Sequence, residues 1–225
     1  MTQVITNESQ SIAESTERAI VLSSDGHATA IMRDYREYLD PEYRADFDEF
    51  CKVYDVHGSR NYDRPSLLTR CDPDVVDQWT HDVVDTGRVE GVSDPAKRMV
   101  EMARQGIVAE VLFADFGLPF ELYSPLLAQV KGYQVAQDKL DAANRAYNRW
   151  LADYCATAPE RFAGMVVVNF HDVDAAVAEI RRGHAAGLRG VVLPYFSAAQ
   201  PIFDIRYEPI WNVCVELGMT VNSHV

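Results

Sequence analysis

From residue 94 onward, apolar and polar positions fall into two alternating patterns. "SDPAKRMVEMARQG" (93–106) has Ser93 at a capping position, Pro95 just inside and Gly106 at the end, which predicts a helix. "IVAEVLFA" (107–114) then predicts a strand. Residues 134–157 predict a long helix with Leu140, Ala143, Tyr147, Trp150, Leu151 and Tyr154 on one packed face. "AGMVVVNF" (163–170) is a continuous apolar run, as expected of a strand buried on both faces. "DVDAAVAEIRRGHAAG" (172–187) predicts a helix with Asp172 as its N-cap, and "LRGVVLP" (188–194) another buried strand. "DIRYEPIWNVCVELG" (204–218) is a helix closed by glycine, and "MTVNSH" (219–224) the next strand. Earlier in the chain, a short strand is predicted over 19–24. Met32, Tyr35, Tyr38 and Leu39 follow at helical spacing until Asp40-Pro41 interrupts. Residues 54–93 are rich in Gly, Pro and Asp and read as a long excursion, which in a compact domain is usually functional or disordered.

Alternation of strand and helix implies parallel pairing with right-handed crossovers. Strands near residues 20, 108, 164, 189 and 219 fit either a five-stranded doubly wound sheet or a (β/α)8 barrel ending after its fifth strand. The doubly wound fold usually carries a glycine-rich phosphate loop after an early strand. "SSDGHATA" has a single glycine, which weakly favours the barrel.

The net charge of -13, from 34 acids against 21 Lys and Arg, leaves no basic footprint for nucleic acid. No stretch approaches the length of a membrane-spanning helix. Cys51, Cys71, Cys155 and Cys214 are scattered without metal-ligand spacing, so a reduced, cytoplasmic setting is expected. Residues 1–18 lack the features of a secretory signal and read as a polar mobile tail.

Ile20-Val21-Leu22 leads into Asp25-Gly26-His27. Side chains alternate along a strand, so Asp25 and His27 share a side. At the C-terminal end of a barrel strand that side is the mouth, where active sites of this fold sit. The pair is half of a divalent metal site, but Asp-Gly is also common turn chemistry. His224 ends another apolar strand and would reach the same mouth. Two histidines and an acid suit zinc with one position open for water; a histidine satisfied by core hydrogen bonds is the alternative. His171 and Asp172 follow the third strand. His171 is a candidate substrate contact, while Asp115, Phe116, Tyr195 and Phe196 are candidate pocket lining. His57 and His81 lie in the excursion and read as exposed, and His184 reads as a surface residue at a helix C-terminus.

The stretch "SSDGHATAIMRDYREYLDPEYRADFDEF" resembles the opening of the amidohydrolase-related (amidohydrolase 2) family of metal-dependent hydrolases and decarboxylases. "NRAYNRWLADYCATAPERFAGMVVVNFHDVDAAVAEIRRGHAAGLRGVVLP" resembles its middle, and "PIFDIRYEPIWNVCVELGMTVNSHV" the approach to its fifth strand. The resemblance implies a (β/α)8 barrel with a divalent metal ion, most often zinc. Its ligands would be Asp25 and His27 after the first strand and His224 after the fifth, with Asp25 where the family more often has histidine. It also implies a catalytic histidine after a sixth strand and a ligand aspartate after an eighth, both beyond Val225. The expectation is therefore an N-terminal portion, residues 19–225, of a TIM-barrel hydrolase or carboxy-lyase, inactive at this length, with residues 30–93 as a lid. A small carboxylate-bearing or cyclic molecule would be its substrate, with no nucleic-acid or membrane partner. Two unpaired edge strands would drive homo-oligomer formation. The rival reading is a shortened, non-catalytic scaffold or binding protein derived from such a barrel.

Overall fold

The computed structural model describes residues 19–57, 64–69, 71–115, 117–122, 128, 131–194 and 201–224. The expected tail and the candidates Phe116, Tyr195 and Phe196 lie outside the described residues. Five strands form one sheet: β1 (Val21–Ala28), β2 (Ile107–Ala114), β3 (Phe162–Val167), β4 (Gly190–Val192) and β5 (Thr220–Asn222). Every neighbouring pair is parallel, in the order β1-β2-β3-β4-β5. A doubly wound sheet reverses direction at an inner strand. Here every crossover steps one strand further the same way, as in a (β/α)8 barrel. The fold is α/β of that barrel type, and the described residues supply five of its strands.

The helices are α1 (Tyr35–Tyr38), α2 (Arg44–His57), α3 (Arg64–Leu67), α4 (Pro73–Trp79), α5 (Pro95–Gln105), α6 (Gln137–Ala156), α7 (Val173–Ala185) and α8 (Glu208–Leu217). α6 buries Ala143, Tyr147, Trp150, Leu151 and Tyr154 of the face its spacing predicts, while Leu140 is only partly buried. Ala142 and Ala146 beside them leave room for close approach to the sheet. Asn148 on this buried face would cost free energy without partners. Its amide accepts from Val167 N–H and donates to the Val167 carbonyl, both at 2.9 Å, so it completes β3 where the ladder runs out.

Several boundaries differ from expectation. β4 and β5 are shorter than predicted, and α8 starts at Glu208. β1 runs from 21 to 28 rather than 19 to 24, because pairing with β2 carries the strand through the polar Ser-Ser-Asp-Gly stretch. The N-cap of α5 is Asp94, not Ser93: the Asp94 carboxylate accepts from Ala96 and Lys97 N–H, and Pro95 occupies the first turn. β3 stops at Val167, short of the predicted 170. The segment expected to be a lid also feeds the main core. Tyr35, Leu39, Phe47 and Phe50 are buried in the same cluster as Phe120 and Trp150. Asp40 is held by Arg145 and Arg149 of α6.

Candidate metal centre

β1 and β2 keep register at Ser23↔Glu110 and again at Gly26↔Leu112. Two β1 residues, Ser24 and Asp25, therefore face one β2 residue. Such a bulge bends a strand and re-aims its side chains. Beyond it His27 pairs with Phe113 and Ala28 with Ala114. Asp25 and His27 stand near the C-terminal end of β1 and meet on one side, as the alternation predicts. His224 arrives from two residues beyond β5.

The three side chains meet. One ligating atom from each of Asp25, His27 and His224 lies within 4.8 Å of the others. His224 Nε2 is 2.8 Å from Asp25 Oδ1, and the His27 and His224 ring centres are 4.9 Å apart in an edge-on arrangement. The hydrogen bond from His224, helped by the charge of both imidazoles and opposed by slight burial, holds the Asp25 carboxyl below its usual range. Ligands about 2.1 Å from a tetrahedral ion stand roughly 3.4 Å apart. Asp25, His27 and His224 would together hold such an ion, which would take the place of the Asp25–His224 hydrogen bond. The donor set, one carboxylate and two imidazoles, fits a divalent transition metal.

Phe113 was not singled out by the sequence, where it reads as one more apolar strand residue. Its ring stacks on His224 with centres 4.3 Å apart and planes 27° from parallel. Phe113, His27 and His224 face a cavity of about 590 Å³ at the strand ends, walled largely by Leu118, Leu140, Val168 and Leu193. Asp115, Asn144 and Asn169 supply polar points on this wall. Glu121 also lines it, and burial pushes its carboxyl up to about 7. Its one sequence signal is an acid set inside "GLPFEL", between the buried Leu118, Phe120 and Leu122.

His171 does not join this group. It pairs with Asp141 at 3.2 Å and lines a neighbouring cavity of about 450 Å³ between α6 and α7. That cavity meets the mouth at Asn144, Val167, Val168 and Asn169. Asp172 caps α7 through Ala175 N–H, as expected. His81 is exposed and pairs with Asp82, which raises its pKa. His184 lies in the last turn of α7 but is half-buried rather than on the open surface. The side chain of His57 lies outside the described residues. No helix among the described residues is long and apolar enough to cross a membrane.

Parallel strands in barrel order, with an acid-x-His pair and a further histidine gathered near their C-terminal ends, form a barrel that carries a candidate metal centre. The amidohydrolase family model matches residues 54–225, and the chain belongs to that family. None of the curated proteins matches it. Among solved structures, an amidohydrolase from Mycobacterium avium subsp. paratuberculosis is 17% identical over 93% of this chain and 59% of its own, with a TM-score of 0.59. The 5-carboxyvanillate decarboxylase of Sphingomonas paucimobilis is 16% identical over 91% of this chain and 51% of its own, with a TM-score of 0.51. That of Novosphingobium aromaticivorans, with bound manganese and 3-methoxy-4-hydroxy-5-nitrobenzoic acid, is 21% identical over 91% and 50%, also with a TM-score of 0.51. These likenesses establish the fold, and the chain spans between 50% and 59% of the length of the three structures.

Proposed function

We propose that Asp25, His27 and His224 hold one divalent metal ion, and that the enzyme built on this chain hydrolyses or decarboxylates a small carboxylate-bearing or cyclic molecule. The observation that carries the reading is the convergence of the three ligating atoms within 4.8 Å at the strand ends. A bound ion supplies Lewis-acid polarisation of a substrate oxygen or a water of lowered pKa. Zinc suits the donor set, and the manganese of the Novosphingobium relative marks the alternative.

The chain's own residues do the rest. The aliphatic wall and Phe113 exclude water and offer a flat apolar surface to a ring. Asn144 and Asn169 supply hydrogen bonds that orient a polar substituent. Glu121, with its carboxyl near 7, is protonated in about half of the molecules at neutral pH and can deliver that proton to a developing negative charge. Two readings of the setting accompany this one. A reducing cytoplasm is supported by four unpaired cysteines, with Cys51, Cys155 and Cys214 buried. Self-association is supported by apolar side chains exposed at the outer strands, Leu22 of β1 and Val221 of β5 among them.

Elemental analysis of the purified chain and of His27→Ala tests the metal reading. The parent is expected to retain about one ion per chain after dialysis and the variant to lose it, since removing a ligand leaves two. Equal content in both would refute the site.

A further inference from the structure

Beside the bulge at Ser24 and Asp25 lies a buried ion pair. Arg98 of α5 reaches to β1, and its Nε donates to Glu110 Oε2 of β2 at 2.6 Å. Its Nη1 donates to the backbone carbonyl of His27 at 3.0 Å. The side chains are 17% and 6% exposed, so both charges sit mostly out of water, where they persist only when paired. Gly26, between the two candidate ligands, is fitted to this guanidinium. A Cβ there would stand 2.9 Å from Arg98 Nη2 and 2.9 Å from the Val111 carbonyl oxygen. The register shift between Ser23 and Gly26 lies just before this peptide, and the ladder resumes at Gly26↔Leu112 and His27↔Phe113. The guanidinium adds a charge-assisted hydrogen bond at the His27 carbonyl to that pairing. Two further bonds hold the segment that follows: Thr29 N–H donates to the Val92 carbonyl at 3.0 Å, and the Tyr35 hydroxyl accepts from Ala30 N–H at 3.1 Å.

We propose that the Arg98–Glu110 pair is a positioning device for the metal centre: it sets the His27 carbonyl, and through that peptide the aim of Asp25 and His27, without touching the ion. This rests on the reading that Asp25, His27 and His224 bind a divalent metal. Arginine is suited to the task because its rigid fork serves two acceptors at once, the Glu110 carboxylate and the His27 carbonyl, while lysine presents a point charge.

Cobalt(II) tests the proposal, because its visible d–d absorption reports ligand geometry. The whole chain, Arg98→Lys and the double variant Arg98→Met/Glu110→Met are titrated with Co²⁺, and folding is followed by circular dichroism. The double variant leaves no lone buried charge and so separates positioning from stability. The parent is expected to bind about one ion. Arg98→Lys and the folded double variant are expected to bind roughly 10-fold to 100-fold more weakly with a shifted d–d band, the range typical of losing a partner that orients a ligand. A folded double variant with the parent's affinity and spectrum would overturn the positioning role and leave the metal reading standing. A parent that binds no cobalt would overturn both.

Discussion

At one end of the sheet β1 runs eight residues beside β2 over the buried Leu112, and Arg98, paired with Glu110, adds a hydrogen bond at its His27 carbonyl. At the other end β5 pairs with β4 over three residues, Val221 is 43% exposed, and Ile202, Phe203 and Val215 line an apolar groove open to the surface. Both ends deliver candidate ligands to the same place. β1 does so through its own backbone, held by charge-assisted hydrogen bonds. His224 stands beyond its strand and is placed by contacts of its side chain, the Phe113 stack and the Asp25 hydrogen bond. The difference teaches that the β1 side of the centre is preorganised, whereas the β5 side is assembled across the mouth.

The sharpest way to break this comparison is to truncate one apolar side chain at each end. Leu112→Ala is expected to cost about 2–5 kcal/mol, because Leu112 is fully buried and a cavity remains. Val221→Ala on β5 is expected to stay within about 0.5 kcal/mol, the range of exposed positions. Urea unfolding of both variants measures the contrast, and similar costs would erase it.

Between the two ends, Glu121 ties the mouth to pH. Its folded-state carboxyl near 7 lies above its ordinary value of 4.5. The folded state therefore binds more protons than the unfolded chain across that window, and stability falls as pH rises through it. The gap corresponds to ~3 kcal/mol. Glu121→Gln is expected to flatten the slope and to be the more stable protein at pH 8, with urea midpoints from pH 4 to 8 as the measurement. An unchanged slope would place the carboxyl in water.

Removing the stack on His224 sharpens the account of the β5 side. Phe113→Leu keeps the wall apolar but loses the ring, whose geometry is worth ~0.5–1.5 kcal/mol. Cobalt affinity is expected to fall about 2-fold to 10-fold, with a stability loss of about 1 kcal/mol because Phe113 is buried. The smallest effect is expected at the outer helices. Arg181 of α7 and Glu216 of α8 form a bidentate pair with both side chains about half exposed, and Arg181→Ala is expected to cost no more than ~0.5 kcal/mol. A thermal melt with and without salt checks it.

Much of the fold could be read from the apolar pattern. "IVAEVLFA" became β2 at its predicted bounds, because an apolar run broken by Glu110 alone and set between Gly106 and Asp115 leaves little choice. The helix α6 followed from its spacing, α7 from its Asp172 cap and α8 from its closing Gly218. The pattern left two architectures open, and the strand order decided between them. β1 was read too short because Ser23, Ser24, Asp25 and Gly26 carry no apolar signal; pairing with β2 extends it. Asp25, His27 and His224 were legible as candidate ligands because each follows an apolar run. Phe113, Arg98, Glu110 and Glu121 were not. An arginine in a helix and a glutamate in a strand show no periodicity that joins them, and only the register of β1 on β2 brings them under one peptide.

The account stands on the joint placement of Asp25, His27 and His224, and His224 is the ligand that ties the far end of the sheet to the near one. The most direct test is the metal content of the dialysed chain against that of His224→Ala by elemental analysis. The account predicts about one divalent ion per chain in the parent and a small fraction of that in the variant. The same content in both, or none in the parent after loading with zinc or manganese, would contradict it.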